Sequence, residues 1–278
     1  MKYLMTGFVL QFLTVSAFSA TLTSKIHSID KGVNGEADLI MLENGETAFL
    51  EKTDAKFFSA SLDQTLKSQD TVEMELDENR SVISIQTVAP LKSELIEEAP
   101  LVNLEKRRDP SIISSDQAST AFSKMRRNYQ NNSQCYNRAH IWSYEEFNRT
   151  GISTGKLFLF FTSKYIRNYR YHWWFHVTPM AYVGGSSQSN WRTLDRRYTR
   201  GPLTTKTWTD VFMHNNATCP VVYKYTDYRN HQQSQDCYLI PTSMYFWQPR
   251  DILRQENTGY QKTQFIKSEV NHAYWEAF

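Results

Sequence analysis

The chain has 278 residues, a formal net charge of +2, 14% aromatic residues and three cysteines. Beyond its first 20 residues no segment approaches the roughly 20 consecutive apolar residues that a bilayer span requires, and no nucleic-acid partner is expected of a chain so near neutrality. The near-zero total conceals a division. Residues 21–100 hold 16 Asp+Glu against 7 Lys+Arg, a net of −9, whereas residues 101–278 carry a net of +10 and every Trp.

Residues 1–19 read as a secretory signal peptide, with Lys2 in the n-region, an apolar stretch from Tyr3 to Val15 and a small-residue exit. Cleavage after Ser19 sets Ala17 and Ser19 at the two positions that must be small, so Ala20 is the expected mature start. A membrane anchor is the alternative, but the apolar core is too short for one. The protein is therefore expected to be secreted or periplasmic, where disulfides persist, with no stable membrane insertion once the signal is removed.

Residues 20–89 form an acidic, β-rich unit by this reading, with strands at 22–26, 39–42, 47–50, 71–76 and 81–85. An Asn44-Gly45 turn joins the second and third strands and a turn over 77–80 joins the last two, giving a small barrel or sandwich. Residues 90–113 read as a linker with three prolines, Glu97-Glu98 and the basic run Lys106-Arg107-Arg108.

From residue 114 to 278 the pattern is α+β. Asp116 can cap a helix reaching about Tyr129, and a second helix begins near Cys135 and carries Ala139, Trp142 and Phe147. Strands are expected at 156–161, 171–182 and 190–196, then a short helix at 205–213 burying Trp208, Val211 and Phe212. The runs 221–225, 238–240 and 244–247 would complete a sheet.

Three cysteines leave one unpaired. Cys219 and Cys237 bracket a polar, turn-rich stretch, and closing a loop of this size is worth about 3 kcal/mol in the chain-entropy model. Pairing them leaves Cys135. Asn131-Asn132-Ser133 supply capping residues before the helix, so the sulfur would sit in its first turn, where free N–H groups and the dipole favour thiolate. A small buried cysteine packing a helix is the competing reading.

A thiolate nucleophile needs an acid for its leaving group, and an imidazole supplies one. If the strands around Gly185-Ser186 turn at that pair, residues whose numbers sum to 371 face one another, which sets His176 opposite Asp195, within hydrogen-bonding reach. A longer loop through Asn190 would shift this register. Alternation gives His172, Trp174, His176 and Thr178 one face, and Trp173, Phe175 and Val177 the other. His172 and His176 near a cysteine raise the question of a metal, but no ligand motif supports one. His140, rotated about 500° from Cys135 along the helix, points away from it and reads as structural. Arg138 could hold a carboxylate or a backbone carbonyl, and the choice stays open. Arg196 and Arg197 read as a solvated face that could shape a substrate entrance, and Trp173 or Trp174 could wall a pocket or fill the core.

Cys135-Tyr136-Asn137-Arg138-Ala139-His140, Trp174-Phe175-His176-Val177-Thr178-Pro179 and Leu194-Asp195 followed by Gly201-Pro202-Leu203 and Trp208 together resemble the protein-glutamine glutaminases, secreted bacterial protein deamidases. The resemblance covers roughly residues 115–215. It implies a papain/transglutaminase-like catalytic domain, with Cys135 as nucleophile, His176 as general acid/base and Asp195 as orienting partner. Arg196 follows Asp195 where the family pattern has proline. The implied reaction converts glutamine side chains of a protein or peptide substrate to glutamate and ammonia through a thioester, without metal or organic cofactor. The oxyanion would be held by the backbone of Cys135 with help from Gln134 or a neighbouring loop. A transglutaminase-like acyltransferase, a papain-like protease and an exported non-enzymatic peptide-binding protein are the rival readings. The charge contrast suggests that residues 20–89 dock on the basic part as an inhibitory pro-domain, or alternatively remain as a permanent accessory domain.

Overall fold

The computed structural model of the chain describes residues 20–88 and 109–278. The expected signal peptide and most of the expected linker lie outside the described residues. The fold is mixed α+β, built on two largely antiparallel sheets.

In the first sheet, β1 (Ala20–Asp30), β2 (Asp38–Leu42) and β3 (Thr47–Leu50) are followed by α1 (Lys52–Ser68), β4 (Thr71–Leu76) and β5 (Val82–Val88). The strand order is β3-β2-β1-β4-β5. Its two edge strands approach one another, since the Phe49 N–H donates to the Arg80 carbonyl at 2.9 Å, and the sheet curls toward the expected barrel. Both turns form where the sequence predicts them. At the tip of the β2–β3 hairpin Gly45 has φ +94°, a left-handed conformation that favours glycine, and a Cβ there would lie 3.0 Å from the Phe175 ring. Strand β1 pairs with β4 over its first half and with β2 over its second, and the register breaks between Ile26 and Ser28, on either side of His27.

Helix α1 was not expected. Ala55, Phe58, Leu62 and Leu66 pack into the core of this sheet at three- and four-residue spacing, the helical signature that a search for strands passes over. Only Leu62 and Thr65 in the helix are buried, so the signal is weak.

The second sheet contains the remaining strands. In chain order the elements are β6 (Ile112–Ile113), α2 (Ser115–Lys124), α3 (Cys135–Thr150), β7 (Gly155–Phe161), α4 (Ser163–Tyr169), β8 (Phe175–Val183), β9 (Trp191–Thr193), β10 (Leu203–Thr204), α5 (Thr205–Thr209), α6 (Tyr225–Asn230), β11 (Cys237–Ser243), α7 (Pro249–Thr258) and α8 (Lys267–Ala277). The strand order is β10-β9-β8-β7-β11, with β6 parallel to β8. All seven residues of β7 are buried, because β8 and β11 flank it and its two faces are covered, so its apolar run shows no alternation. Helix α3 packs against β8 and α8.

Several local expectations are corrected. Ser114, not Asp116, caps α2, forming a reciprocal capping box with Gln117 that satisfies two backbone donors at once, and the helix ends at Lys124. The run Val221–Tyr225 contributes one isolated bridge before α6, residues 244–247 form no strand, and Val211 is exposed while Trp208 and Phe212 are buried. Cys219 and Cys237 are disulfide-bonded, tying the approach to α6 to β11. No helix among the described residues is long and apolar enough to cross a membrane.

Candidate active site

Cys135 is the first residue of α3 and the free cysteine among the described residues. The residue before it, Gln134, is the N-cap in extended conformation, and its side chain makes no capping hydrogen bond. Nor do Asn131-Asn132-Ser133 cap the helix, and the Ser133 hydroxyl instead donates to the Gln130 carbonyl at 2.7 Å. The expected placement of the sulfur in the first helical turn nevertheless holds, with the helix's unpaired N–H groups around it.

His176, the second residue of β8, is hydrogen-bonded to Cys135 on one side and to Asp195 on the other, with Nε2 2.6 Å from Asp195 Oδ2. Nδ1 is the ring nitrogen left for the sulfur. The route by which Asp195 arrives differs from the sequence expectation. Met180 pairs with Thr193 and Tyr182 with Trp191, so opposed numbers sum two higher than expected and the ladder ends before residue 195. A seven-residue connection from Gly184 to Asn190 replaces the two-residue turn. Asp195 reaches His176 from the turn after β9, where its carbonyl accepts N–H groups of Tyr198 and Thr199. Its Oδ2 also accepts a hydrogen bond from Trp208 Nε1 at 3.0 Å.

Electrostatics follow from this chain of contacts. Burial alone would lower the His176 pKa, but Asp195, then Cys135, outweigh it and raise it to about 9. Burial would raise the Cys135 thiol, yet the hydrogen bond and charge of His176, followed by Arg138 and the Val177 backbone, bring it below the usual thiol range. Burial likewise opposes ionisation of Asp195, and His176, Trp208 and Arg138 hold it below the usual carboxylate range. The arrangement favours thiolate, imidazolium and carboxylate together. Rings enclose the imidazole, with centroids of Phe212 at 4.4 Å, Tyr198 at 5.3 Å and Trp173 and Trp208 at 5.8 Å.

A cavity of about 110 Å³ opens onto Cys135, lined by Gln134, Arg138, Trp173, Arg197 and Tyr198 from the basic part and by Asn44, Gly45 and Glu46 from the β2–β3 hairpin. Trp174, named with Trp173 as a possible pocket wall, is not among the residues lining this cavity. Its indole N–H donates to the Leu42 carbonyl at 2.7 Å and its ring stacks on His27 at 4.4 Å. Residues 171–174 lie ahead of β8, so alternation does not govern them and Trp173 shares the His176 surroundings instead. The hairpin is held to this segment by Trp174 N–H to Gly45 O at 2.9 Å and Thr47 N–H to His172 O at 3.1 Å. Arg170 pairs with Glu51 at 3.0 Å and Arg167 with Asp30 at 3.4 Å, which realises locally the charge contrast seen in the sequence.

Two neighbours of the site escaped sequence reasoning, namely the Trp208 indole on Asp195 and the Asn44–Glu46 tip lining the cavity. Both are contacts between distant segments, and periodicity carries no signal for either. His140 is buried with Nδ1 2.8 Å from Lys156 Nζ, away from the cavity. Arg196 lies over the Phe122 ring, while Arg197 donates to the Gln130 and Asn131 carbonyls beside the cavity. No group of three or more metal-ligating side chains occurs among the described residues.

Fold and site together define an α+β protein with a thiol, an imidazole and a carboxylate hydrogen-bonded in series at a helix N-terminus. Residues 112–212, which contain all three, match the family model described as Glutaminase. Over that segment the chain is similar to the glutaminase family. Among solved structures, the crystal structure of pro-protein-glutaminase is similar at 14% identity and a TM-score of 0.47, over 81% of this chain and 83% of that one. A mutant of pro-protein-glutaminase gives 14% identity and 0.48 over 82% and 84%. The NMR structure of protein-glutaminase from Chryseobacterium proteolyticum gives 13% identity and 0.35 over 58% and 84%. No curated protein matches the chain.

Proposed function

We propose that the protein is an exported cysteine amidohydrolase with a papain/transglutaminase-like catalytic domain, which deamidates glutamine side chains of protein or peptide substrates. Cys135 is the nucleophile, His176 the general acid and base, and Asp195 the group that orients and charges His176. The observation that carries this reading is the hydrogen-bond chain from Cys135 through His176 to Asp195 within the segment that matches the glutaminase family.

The Cys135 thiolate attacks the carboxamide carbon, and the carbonyl electron pair moves to oxygen. Backbone N–H groups at the start of α3, with Gln134 adjacent, suit stabilisation of that oxyanion. Collapse of the tetrahedral species expels ammonia as His176 gives up its proton, leaving a thioester and a neutral imidazole. His176 then takes a proton from water as the oxygen attacks the thioester, and departure of the thiolate leaves glutamate. Chemistry of this kind needs neither metal nor organic cofactor.

Residues 20–89 act in this reading as an inhibitory pro-domain. Support comes from the hairpin tip lining the Cys135 cavity and from the acidic residues paired with Arg167 and Arg170.

Incubation with a glutamine-rich protein, following ammonia and intact mass together, tests the reaction. Ammonia release with the mass increase of amide-to-acid conversion, abolished by Cys135→Ala, is the expected result. Lysine crosslinks would assign a transglutaminase-like acyltransferase, backbone cleavage a protease, and no turnover of any kind a binding protein. Limited proteolysis near Arg107 or Arg108 should raise activity, whereas equal activity before and after would make the first unit a permanent accessory domain.

A further inference from the structure

In its thiolate–imidazolium form the Cys135–His176–Asp195 chain carries one net negative charge in a place largely closed to water. His176 and Asp195 are each 1% exposed. A buried net charge is costly unless a compensating group lies close by.

Arg138 is three residues beyond Cys135 on α3, about one turn along the same side of the helix, and lines the same cavity. It is 2% exposed, and none of the ion pairs among the described residues includes it. Its hydrogen-bond partners are neutral. Nη1 donates to the Ser133 carbonyl and, at 2.9 Å, to the Ser133 hydroxyl, while Nε has no partner among the described residues. The guanidinium also lies over the Tyr129 ring, with 5.8 Å to the centroid. A cation this enclosed, with no carboxylate of its own, has the reactive centre as its neighbouring source of negative charge.

We infer that Arg138 is a positioning residue that supplies the counter-charge of the Cys135–His176–Asp195 centre, while its hold on Ser133 fixes the backbone entering α3. The groups that act on it and on Cys135 come from several elements. His176 comes from β8, and Asp195, Arg197 and Tyr198 from the segment after β9, while Glu46, which lines the same cavity from the hairpin tip, is paired with Arg80 at 3.5 Å. Arg197 repels Arg138, and its own hydrogen bonds turn it toward the Gln130 and Asn131 carbonyls. Guanidinium is the suitable cation here because it keeps its proton when buried and directs several donors from one plane.

The inference concerns the electrostatics of the site and holds whichever acyl acceptor the enzyme uses. Its test therefore needs no substrate. Cys219 and Cys237 are disulfide-bonded, so Cys135 is the remaining source of a thiolate signal in the full chain. We would titrate the ultraviolet thiolate absorbance of the full chain against pH, subtracting a Cys135→Ala blank, in wild type, Arg138→Gln and Arg138→Lys. Gln can still bond Ser133 but has no charge, whereas Lys keeps a charge without the guanidinium fork. Loss of the charge should raise the apparent thiol pKa by about one unit or more, and Lys should restore most of that shift. An unchanged value in Arg138→Gln, or equal rises in both variants, would overturn the counter-charge role. If Arg138→Gln does not fold, the Lys variant decides alone, since a rise of a full unit there contradicts the inference and a near-wild-type value supports it. A preserved titration shift in a chain that releases no ammonia would defeat the deamidase reading and leave this inference standing. Deamidation by wild type alongside an unshifted Arg138→Gln would do the reverse.

Discussion

His176 and His27 sit in comparable company, since aromatic rings enclose both, yet their basicities move in opposite directions. His27 stacks on Trp174 and its Nε2 lies 2.9 Å from the Tyr225 hydroxyl, and with no ion pair to it among the described residues burial lowers its pKa to about 4. His176 is the more deeply buried, but Asp195 at 2.6 Å and the thiol on its other side raise it to about 9. The difference teaches that ring packing by itself makes a neutral imidazole, and that one well-placed carboxylate converts such a pocket into a proton-holding site. The first setting suits a contact between the acidic and basic parts, and the second suits acid–base catalysis.

The largest expected effect comes from removing the sulfur from the reactive region. Cys135→Ala should abolish deamidation, a loss of about 10⁴-fold or more measured as ammonia release, while circular dichroism stays native because the site is at a helix start. Asp195→Asn breaks the contrast directly. It should lower activity by about 10²- to 10⁴-fold, and an NMR titration should find His176 behaving like His27, with a pKa below the ordinary histidine value. An imidazole still titrating near 9 in that variant would mean that Asp195 is not what charges it.

The pH dependences should diverge as well. Activity should rise through the depressed Cys135 pKa and fall as His176 loses its proton near 9, a bell whose limbs a rate profile against pH locates. For stability, the raised His176 contributes fully below its unfolded value of about 6.5 and loses that contribution as pH rises through about 9. His27 has the opposite sign, contributing above about 6.5 and losing its contribution as pH falls toward 4. Acidification should therefore loosen residues 20–88 before it disturbs the reactive centre, detectable as faster amide exchange around His27 and the hairpin. His27→Phe should reduce that acid sensitivity, leaving the share of His172, whose pKa burial also lowers to about 4. A smaller effect is expected for Trp208→Phe, which deletes one of two hydrogen bonds to Asp195 Oδ2 and should cost about tenfold in rate, with fold and thiolate titration nearly unchanged.

Much of this contrast was legible in the chain itself. The β3 bounds, the Asn44-Gly45 turn and the Cys219–Cys237 pairing follow from local rules, because turn chemistry and cysteine parity act over a few residues or on simple counts, and α3 starts at Cys135 as expected although the expected capping residues do not cap it. Cys135, His176 and Asp195 were also identifiable as a set. The register that was to bring the last two together was wrong by two, yet the contact exists, because the turn beyond β9 delivers what the ladder does not. Of the two tryptophans that could wall a pocket or fill the core, Trp173 lines the cavity and Trp174 is buried, a choice made by packing in residues ahead of the strand.

The sequence by itself determined which chemistry-bearing side chains the protein has and the local elements that carry several of them, since these depend on residue type and short-range spacing. Only the tertiary structure decided what surrounds each one. The Trp208 indole on Asp195, Arg138 enclosed beside the thiol, and the Asn44–Glu46 tip over the cavity are meetings of segments far apart in the chain. Burial and the partner that accompanies it are set by packing, and they are why one enclosed histidine stays neutral while the other holds its proton.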